Sequence, residues 1–382
     1  PADEPLGPKR HAISSAAAPD ADALAEAADM IAAAKAPLLI AQRADPEGRL
    51  APVLGAFCDQ WAIPVAGFWP SLNVMATDHP KHMGADPGAR LSNADVVIVL
   101  DALVPWIESG LKPNPKAKII QIGSDPMFSR VPVRGFRSTL NLTAKPAVAI
   151  EALSKTLRRR RKDLKGVLSK RHAALSKQNR ARRTAALRQA DEGGGSPMTP
   201  AFVSKCLSDT LPADARVFGE LGCIPSVMHF ENGNQFFSHP LAGGLGWGVP
   251  AALGASLSDP SRVTVACVGD GSYMFANPVA CHQIAEASNL PLLTIVFNNG
   301  VWNAVRKTTT MMYPDGKASR VNTMALSSLD PSPDYAMVAA ASRAWSTTVE
   351  KGEDLPGALN EALRVMAEEK RQAMIEVMVT KD

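Results

Sequence analysis

The chain has 382 residues, 46% of them hydrophobic and 20% charged, with 41 Lys/Arg against 37 Asp/Glu. That length allows two ordinary domains with cores of their own, and the balance excludes a fibrous or disordered chain. No apolar run reaches the roughly 18 residues of a membrane helix, the N-terminus lacks a signal peptide's basic start and apolar centre, and the five scattered cysteines form no CxxC pair, which together point to a cytoplasmic protein with reduced thiols.

Residues 1–19 read as an N-terminal extension. From 20 to 154, helix-like and strand-like segments alternate: "DADALAEAADMIAAAK", "APLLIAQ", "RLAPVLGAFCDQWA", "IPVAGF", "ADVVIVLDA" and "AKIIQIGSDP". Short β-branched runs between helical stretches predict parallel strands covered by helices. Between Lys155 and Arg188 stand 14 Lys/Arg and one acid, Asp163. A run this basic could hold nucleic acid. It has no aromatic residue to stack on a base, and Leu157, Leu164, Leu168, Leu175 and Leu187 suit a solvated helix lying on a surface. A charged interdomain helix is the preferred reading. With "DEGGGSPMTP" it makes 155–195 a connector. From 196 to 382 the alternation returns in "ARVFGELG", "RVTVACVGDG", "LPLLTIVFNN" and "RQAMIEVMV". The expected fold class is α/β: two open, doubly wound parallel-sheet (Rossmann-like) domains joined by a long basic helical connector.

The stretch "GDGSYMFANPVACHQIAEASNLPLLTIVFNN" (269–299) carries the chemistry, with 26 residues between Gly-Asp-Gly and Asn-Asn. "RVTVACVGD" reads as a buried strand ending at Asp270, and "NPVACHQIAEASN" as a helix with Asn277 as N-cap and Pro278 in its first turn. "LPLLTIVFN" is a second buried strand. A right-handed crossover of this length joins parallel strands. If they are neighbours, their ends lie roughly 5 Å apart, so Asp270 meets Asn298 and Asn299 at the ligand-binding edge. One carboxylate, one amide oxygen and a backbone carbonyl suit Mg²⁺, whose remaining positions go to phosphate oxygens and water. Gly269 and Gly271 would let a ligand approach the backbone, and Ser272 offers a hydroxyl.

On these residues the sequence resembles the thiamine diphosphate enzymes of the acetolactate synthase, benzoylformate decarboxylase and pyruvate decarboxylase group, whose signature is GDG, a spacer of this length, then NN. The likeness extends to "SHPLAGGLGWGVPAALGASLSDP", "NNGVWNAVRK" and "PDYAMVAAASRAW", covering 196–382 as the diphosphate-binding domain. Residues 20–154, with "DHPKHMG", "ADVVIVLDALVPW" and "IIQIGSDP", resemble the central domain. The resemblance implies Asp270, Asn299 and the Val301 carbonyl as magnesium ligands, and Gly271 and Ser272 at the diphosphate. It places the Gly243 carbonyl on the aminopyrimidine and Leu245 as a wedge between the cofactor's rings. Glu220 either sits beside the diphosphate or caps the next helix.

The implied function is a Mg²⁺- and thiamine diphosphate-dependent 2-oxo acid decarboxylase or carboligase, acetolactate synthase-like, working as a homo- or hetero-oligomer. Rival readings are a non-catalytic assembly subunit and a nucleic-acid binder acting through the connector. The family's pyrimidine-binding domain and its activating glutamate have no counterpart in these residues. The expectation is therefore one subunit of a split enzyme, or part of a longer chain, needing a pyrimidine-binding domain or subunit as partner. Some relatives bind FAD or another adenine nucleotide in the central domain. Here Gly123 stands where many carry an acid, Asp125 remains, and no GxGxxG occurs in 1–150, so nucleotide binding stays open and a structural domain is preferred. His239 is the candidate catalytic or substrate-contacting side chain, against a plain loop histidine. His282 reads as a buried structural histidine, and His79 and His82 receive no chemistry. Trp302 and Val305 either shape the pocket or simply pack. Residues 311–320 are expected as a mobile loop over the cleft, with Arg306 and Lys307 as partners for a carboxylate.

Overall fold

The computed structural model describes residues 17–43, 47–239, 241–321 and 324–381, with the side chains of 161–163 left out. Most of the expected N-terminal extension and the Asp163 side chain lie outside the described residues.

The first domain runs α1 (Ala21–Ala33), β1 (Pro37–Ala41), α2 (Leu50–Trp61), β2 (Val65–Gly67), α3 (Gly88–Asn93), β3 (Val96–Leu100), β4 (Lys118–Gly123), β5 (Leu140–Thr143) and α4 (Pro146–Leu157). Its strands pair in parallel in the order β2-β1-β3-β4-β5. Asp20 starts α1 by accepting hydrogen bonds from the amides of Asp22 and Ala23 (3.1 and 2.9 Å), which satisfies two otherwise orphaned donors. β1 and β3 are buried along their whole length, as strands covered on both faces must be. One face buries Leu39, Ile98 and Ile120 against α1, α2 and α4. The other buries Leu38, Val97 and Ile119 with Trp106.

After the connector α5 (Arg161–Asp191), the second domain runs α6 (Pro200–Thr210), β6 (Arg216–Glu220), β7 (Phe236–Ser238), α7 (Gly248–Ser258), β8 (Thr264–Gly269), α8 (Asp270–Phe275), α9 (Pro278–Ala287), β9 (Leu292–Asn298), α10 (Asn303–Met312), α11 (Tyr335–Ala340), β10 (Trp345–Val349), α12 (Leu355–Glu368) and β11 (Ala373–Met378). The strand order is β10-β11-β9-β8-β6-β7, again all parallel. The two-domain parallel architecture expected from the alternating pattern is present. β5, β7 and β10, short strands not among those read from the sequence, complete it.

Two sequence expectations change in detail. Asn277 does stand at the N-cap of α9, but in the left-handed region (φ 54°) and with no side-chain cap bond. Asparagine is there because it tolerates that turn, not because it caps. The segment 311–320 is not a simple loop: Met311 and Met312 form the last turn of α10, and Ala318–Arg320 a short 3₁₀ turn.

Part of the connector's charge is used internally, and most of its described Lys and Arg side chains are exposed. Leu168, Leu175 and Ala190 are buried along one side of α5. From that side Arg171 donates to the Ala34 carbonyl (2.8 Å) and Asn179 to the His79 carbonyl (2.9 Å), while Arg183 reaches the carbonyls of Thr77 and Met228, one in each domain (3.4 Å each). Long guanidinium side chains pack their stems and satisfy irregular backbone at once.

The two domains are also laced together through residues 71–77, which run beside β7. Leu72 pairs with Phe237 in an antiparallel bridge. Ser238 N donates to the Ser71 carbonyl (2.8 Å) and Asn73 N to the Phe236 carbonyl (3.0 Å). The Asn73 side-chain oxygen accepts from the amides of Gln235 and Phe236 (2.9 and 2.8 Å). Thr77 Oγ1 donates to the Met228 carbonyl (3.1 Å) and accepts from Phe230 N (2.9 Å). The seam protects the exposed edge of the second sheet.

Next to this seam, burial pushes the His82 imidazole down to about 4, with the positive charges of Arg182, Arg183 and His79 acting in the same direction. The unfolded chain then binds more protons than the native one between about pH 6.5 and 4, so stability is complete above pH 6.5 and falls as pH drops through that window. The loss is expected to reach at most about 3 kcal/mol. His82→Gln should flatten the pH dependence of the melting temperature over that range. Among the described residues no helix is long and apolar enough to cross a membrane, and all five cysteines are free thiols.

Candidate functional site

β8 and β9 are adjacent, with Gly269 opposite Phe297, so the 26 residues between the two motifs are the crossover and bring their ends together. Asp270, only 3% exposed, is the first residue of α8. Its Oδ2 accepts from the amides of Asn299 and Gly300 (3.1 and 2.8 Å), and its Oδ1 from Gly271 N (2.7 Å). Burial raises its pKa, and these backbone N–H groups pull it back in part. No ion pair to this carboxylate exists among the described residues.

The Asn pair divides its work. Asn298 Oδ1 accepts from Gly300 N (2.9 Å), and its amide nitrogen donates to Glu376 Oε1 (2.7 Å). Asn299 Oδ1 accepts from Val301 N (3.0 Å). Glu376, buried on β11, also takes a hydrogen bond from Thr348 (3.1 Å). It holds Asn298, and through it the turn that presents Asn299 and the Val301 carbonyl. Sequence reasoning missed Glu376, although a lone acid inside "MIEVMV" is a signal that something must meet it. Glu376→Ala should cost about 1–3 kcal/mol in denaturant unfolding, because the Asn298 amide would lose its buried acceptor. Glu376→Gln, which keeps an acceptor oxygen, should recover most of it in the same measurement.

Glu220 does what the capping alternative describes. Fully buried at the end of β6, it accepts from the amides of Gly246 (2.6 Å) and Gly248 (2.5 Å), which braces the start of α7 and the 243–248 loop. Its hold on that loop thus runs through the backbone. That loop is pinned from the other side too. Gly246 has φ +91° and lies so close to α8 that a Cβ would come within 2.5 Å of the Phe275 carbonyl oxygen, so only glycine fits. Gly243 (φ +68°) and Leu245 occupy the same partly open loop.

The reason for glycine at 271 differs from the expectation. A Cβ there would meet the Trp302 ring at 2.1 Å, so Gly271 makes room for a protein side chain. Trp302 also contacts Phe275 (ring centroids 5.4 Å apart), and Val305 is exposed on α10. Ser272 is buried, with no hydrogen bond to its hydroxyl among the described residues.

His282 is structural, as read. Gln372 donates its amide nitrogen to the carbonyls of His282 and Ser342 (2.9 and 3.1 Å), which turns its oxygen to His282 Nδ1 (2.7 Å). Nδ1 therefore carries the proton, and Nε2 accepts from the Tyr273 hydroxyl (2.7 Å). The chain ties α8 to the sheet. His239 lies on the other side of the site, in the segment after β7, with a buried Nδ1 that has no partner among the described residues. Arg306 donates to Asn303 (3.2 Å) and to the Lys381 carbonyl (2.8 Å).

In the first domain the crevice between β1 and β3 is bridged by protein groups. Gln42 donates to the carbonyls of Phe68 and Val104 (2.8 and 3.0 Å) and accepts from Leu103 N (2.9 Å), and Arg43 pairs with Asp101 (2.7 Å). Asp125 binds the amide and hydroxyl of Ser129 in its own turn (both 2.8 Å).

The donors at the β8–β9 edge suit a hard cation. No three His, Cys, Asp or Glu side chains cluster among the described residues, which leaves one carboxylate, one amide oxygen and a carbonyl as the local set. A buried carboxylate without a cationic neighbour is costly, and a divalent ion would neutralise it.

Two open parallel sheets with such a strand-end site define an α/β enzyme class that binds its cofactor at the carboxyl edge. The model of the thiamine pyrophosphate enzyme central domain matches residues 24–152, and that of the C-terminal TPP binding domain matches 220–377. The chain belongs to the thiamine pyrophosphate enzymes and carries these two domains. It is 24% identical over 407 residues to sulfoacetaldehyde acetyltransferase of Rhodobacter capsulatus, covering 96% of the chain and 65% of the relative. It is 31% identical over 182 residues to benzoylformate decarboxylase of Pseudomonas aeruginosa, covering 46% and 31%. Among solved structures, the thiamine diphosphate-dependent 4-hydroxybenzoylformate decarboxylase of Rhodococcus jostii superposes with a TM-score of 0.73 at 20% identity, over 98% of this chain and 67% of the other. The chain spans about 30% to 65% of the length of the curated relatives it matches.

Proposed function

We propose that the chain supplies the central and diphosphate-binding domains of a Mg²⁺- and thiamine diphosphate-dependent 2-oxo acid decarboxylase or carboligase. The observation that carries this is the buried Asp270 carboxylate, with no ion pair among the described residues, held beside Asn299 at the ends of adjacent strands. Asp270, Asn299 and the Val301 carbonyl would hold the cation, and the free Ser272 hydroxyl would take a diphosphate oxygen. When bound, thiamine diphosphate supplies the electron sink for breaking a bond next to a carbonyl. The protein's part is orientation: Glu220 fixes the 243–248 loop, which sets Gly243 and Leu245, and Glu376 fixes the Asn turn.

Activity would require a pyrimidine-binding domain contributed from outside residues 1–382, in a homo- or hetero-oligomer. Exposed Met274, Phe275 and Val279 on α8 and α9, with Met311, Met312 and Tyr313 at the end of α10, supply the apolar surface such a domain would cover. The test is calorimetric titration with thiamine diphosphate in Mg²⁺ and in EDTA, followed by assay of CO₂ release from 2-oxo acids with and without the pyrimidine-binding domain. Metal-dependent binding together with release only in the reconstituted pair is expected. Absence of metal-dependent binding in that pair overturns the reading.

A further inference from the structure

Two of the free thiols meet. Cys267 is fully buried on β8, and Cys223, in the turn after β6, packs against it within hydrogen-bonding reach. The sheet register explains how. Gly219 of β6 is the direct neighbour of Cys267, one strand spacing of about 4.8 Å away, and paired positions face the same side of the sheet. A Cβ on Gly219 would stand 2.9 Å from the Cys223 sulfur and 2.7 Å from the Phe236 ring. The absent side chain makes the seat for that sulfur, over β6 and beside the Cys267 side chain.

The two thiols differ in access. Cys223 is partly exposed and lines a cavity of about 400 Å³ between the two domains. Cys267 lies in the core, where burial and the neighbouring Cys223 both push its thiol up. A small oxidant in the cavity therefore meets Cys223 first, with Cys267 as the adjacent second thiol. Two other cysteines are placed differently: Cys58 is buried in the first domain, and Cys281 donates to the Ala276 carbonyl (3.1 Å).

The turn that carries Cys223 also lies across the strand ends of the candidate site. Its Leu221 carbonyl oxygen is 2.7 Å from where a Cβ on Gly269 would stand, and a Cβ on Gly222 would come 2.7 Å from the Phe297 ring. A bond drawing Cys223 onto β8 would press this turn against the residue that precedes Asp270.

We propose that Cys223 and Cys267 form an oxidative modification site, closed to a disulfide by a peroxide, and that the closed form holds Mg²⁺ and thiamine diphosphate less tightly. Only the second half rests on the cofactor reading. With hydrogen peroxide, the Cys223 sulfur attacks one oxygen and the O–O bond breaks. Cys223 becomes a sulfenic acid, and the released hydroxide leaves as water with the Cys223 proton. The Cys267 sulfur then attacks the Cys223 sulfur, the S–O bond breaks, and a second water carries off the Cys267 proton. Two thiols are oxidised and one peroxide is reduced to two waters.

The test treats the native full chain with hydrogen peroxide and maps the alkylated, unreduced digest by mass spectrometry. A peptide pair joined through Cys223 and Cys267 is expected, with two of the five thiols lost and both restored by dithiothreitol. Cys267→Ala should leave Cys223 as a sulfenic acid that dimedone traps, and Cys223→Ala should leave Cys267 reduced. The map of the unmutated chain decides the matter even where a variant fails to fold. Five unchanged thiols, or a bridge from Cys223 to Cys206 instead, overturns the proposal. In the reconstituted pair, the bridged chain should bind thiamine diphosphate in Mg²⁺ at least about tenfold more weakly than the reduced chain. Peroxide should leave the affinity of Cys223→Ala unchanged. A bridge with unaltered affinity overturns the second half. A bridge in a chain that shows no metal-dependent binding at all sinks the cofactor reading and leaves the modification site standing.

Discussion

Asp270→Ala is expected to abolish Mg²⁺-dependent binding of thiamine diphosphate, with a loss of at least about a hundredfold by calorimetry in the reconstituted pair. The carboxylate is the only formal negative charge in the local donor set, and without it a divalent ion would face neutral oxygens alone. Asp270 also accepts from Gly271, Asn299 and Gly300, so the alanine variant loosens the turn as well as removing the ligand. Asp270→Asn separates the two effects. It retains one acceptor oxygen and nearly the same shape, so it should keep part of the backbone bonding and lose less stability than the alanine variant, while metal-dependent binding is still lost. Retained affinity in Asp270→Asn would show that the cation, if bound, sits elsewhere.

Glu220→Ala should cost about 2–5 kcal/mol of stability and cofactor affinity along with it. The side chain is completely buried, and its two oxygens hold two amides at the start of α7. Truncation leaves both donors without partners in a site water does not reach, each worth about 1–3 kcal/mol. The 243–248 loop would then lose its brace on one side and keep only its contact with the end of α8. Denaturant unfolding measures the first effect, and titration of thiamine diphosphate the second. Glu220→Gln keeps one acceptor and should lose about half as much. A variant with native stability would mean the loop is held mainly from the α8 side.

The strand-end motif was legible because its information is local and periodic. "RVTVACVGD" and "LPLLTIVFNN" are buried strands with turn chemistry after them, and a spacer of crossover length makes them neighbours. Even so, the bonding inside the motif differs from the reading of its parts. Asp270 also accepts from the backbone N–H groups of Asn299 and Gly300, the glycine at 271 admits Trp302, and Asn277 serves a left-handed turn. Each depends on where a neighbour sits in space, which residue type alone does not state. β7 is three residues long, too short for an alternating pattern to announce it.

The connector shows the same division at larger scale. Its basic composition and leucine spacing indicated a helix on a surface, and α5 is one. That Arg183 reaches both domains is a property of how those domains meet.

From sequence alone came the α/β class, the two-domain division, the paired strands and the residues at the ends of β8 and β9, because hydrophobic period and turn residues are written along the chain. Tertiary structure alone decided that Glu220 braces a loop, that Glu376 orients Asn298, and that Asn73 and Thr77 sew the domains together. Those outcomes rest on contacts between distant segments, and a buried polar group reveals its partner only once the backbone has brought the two within hydrogen-bonding reach.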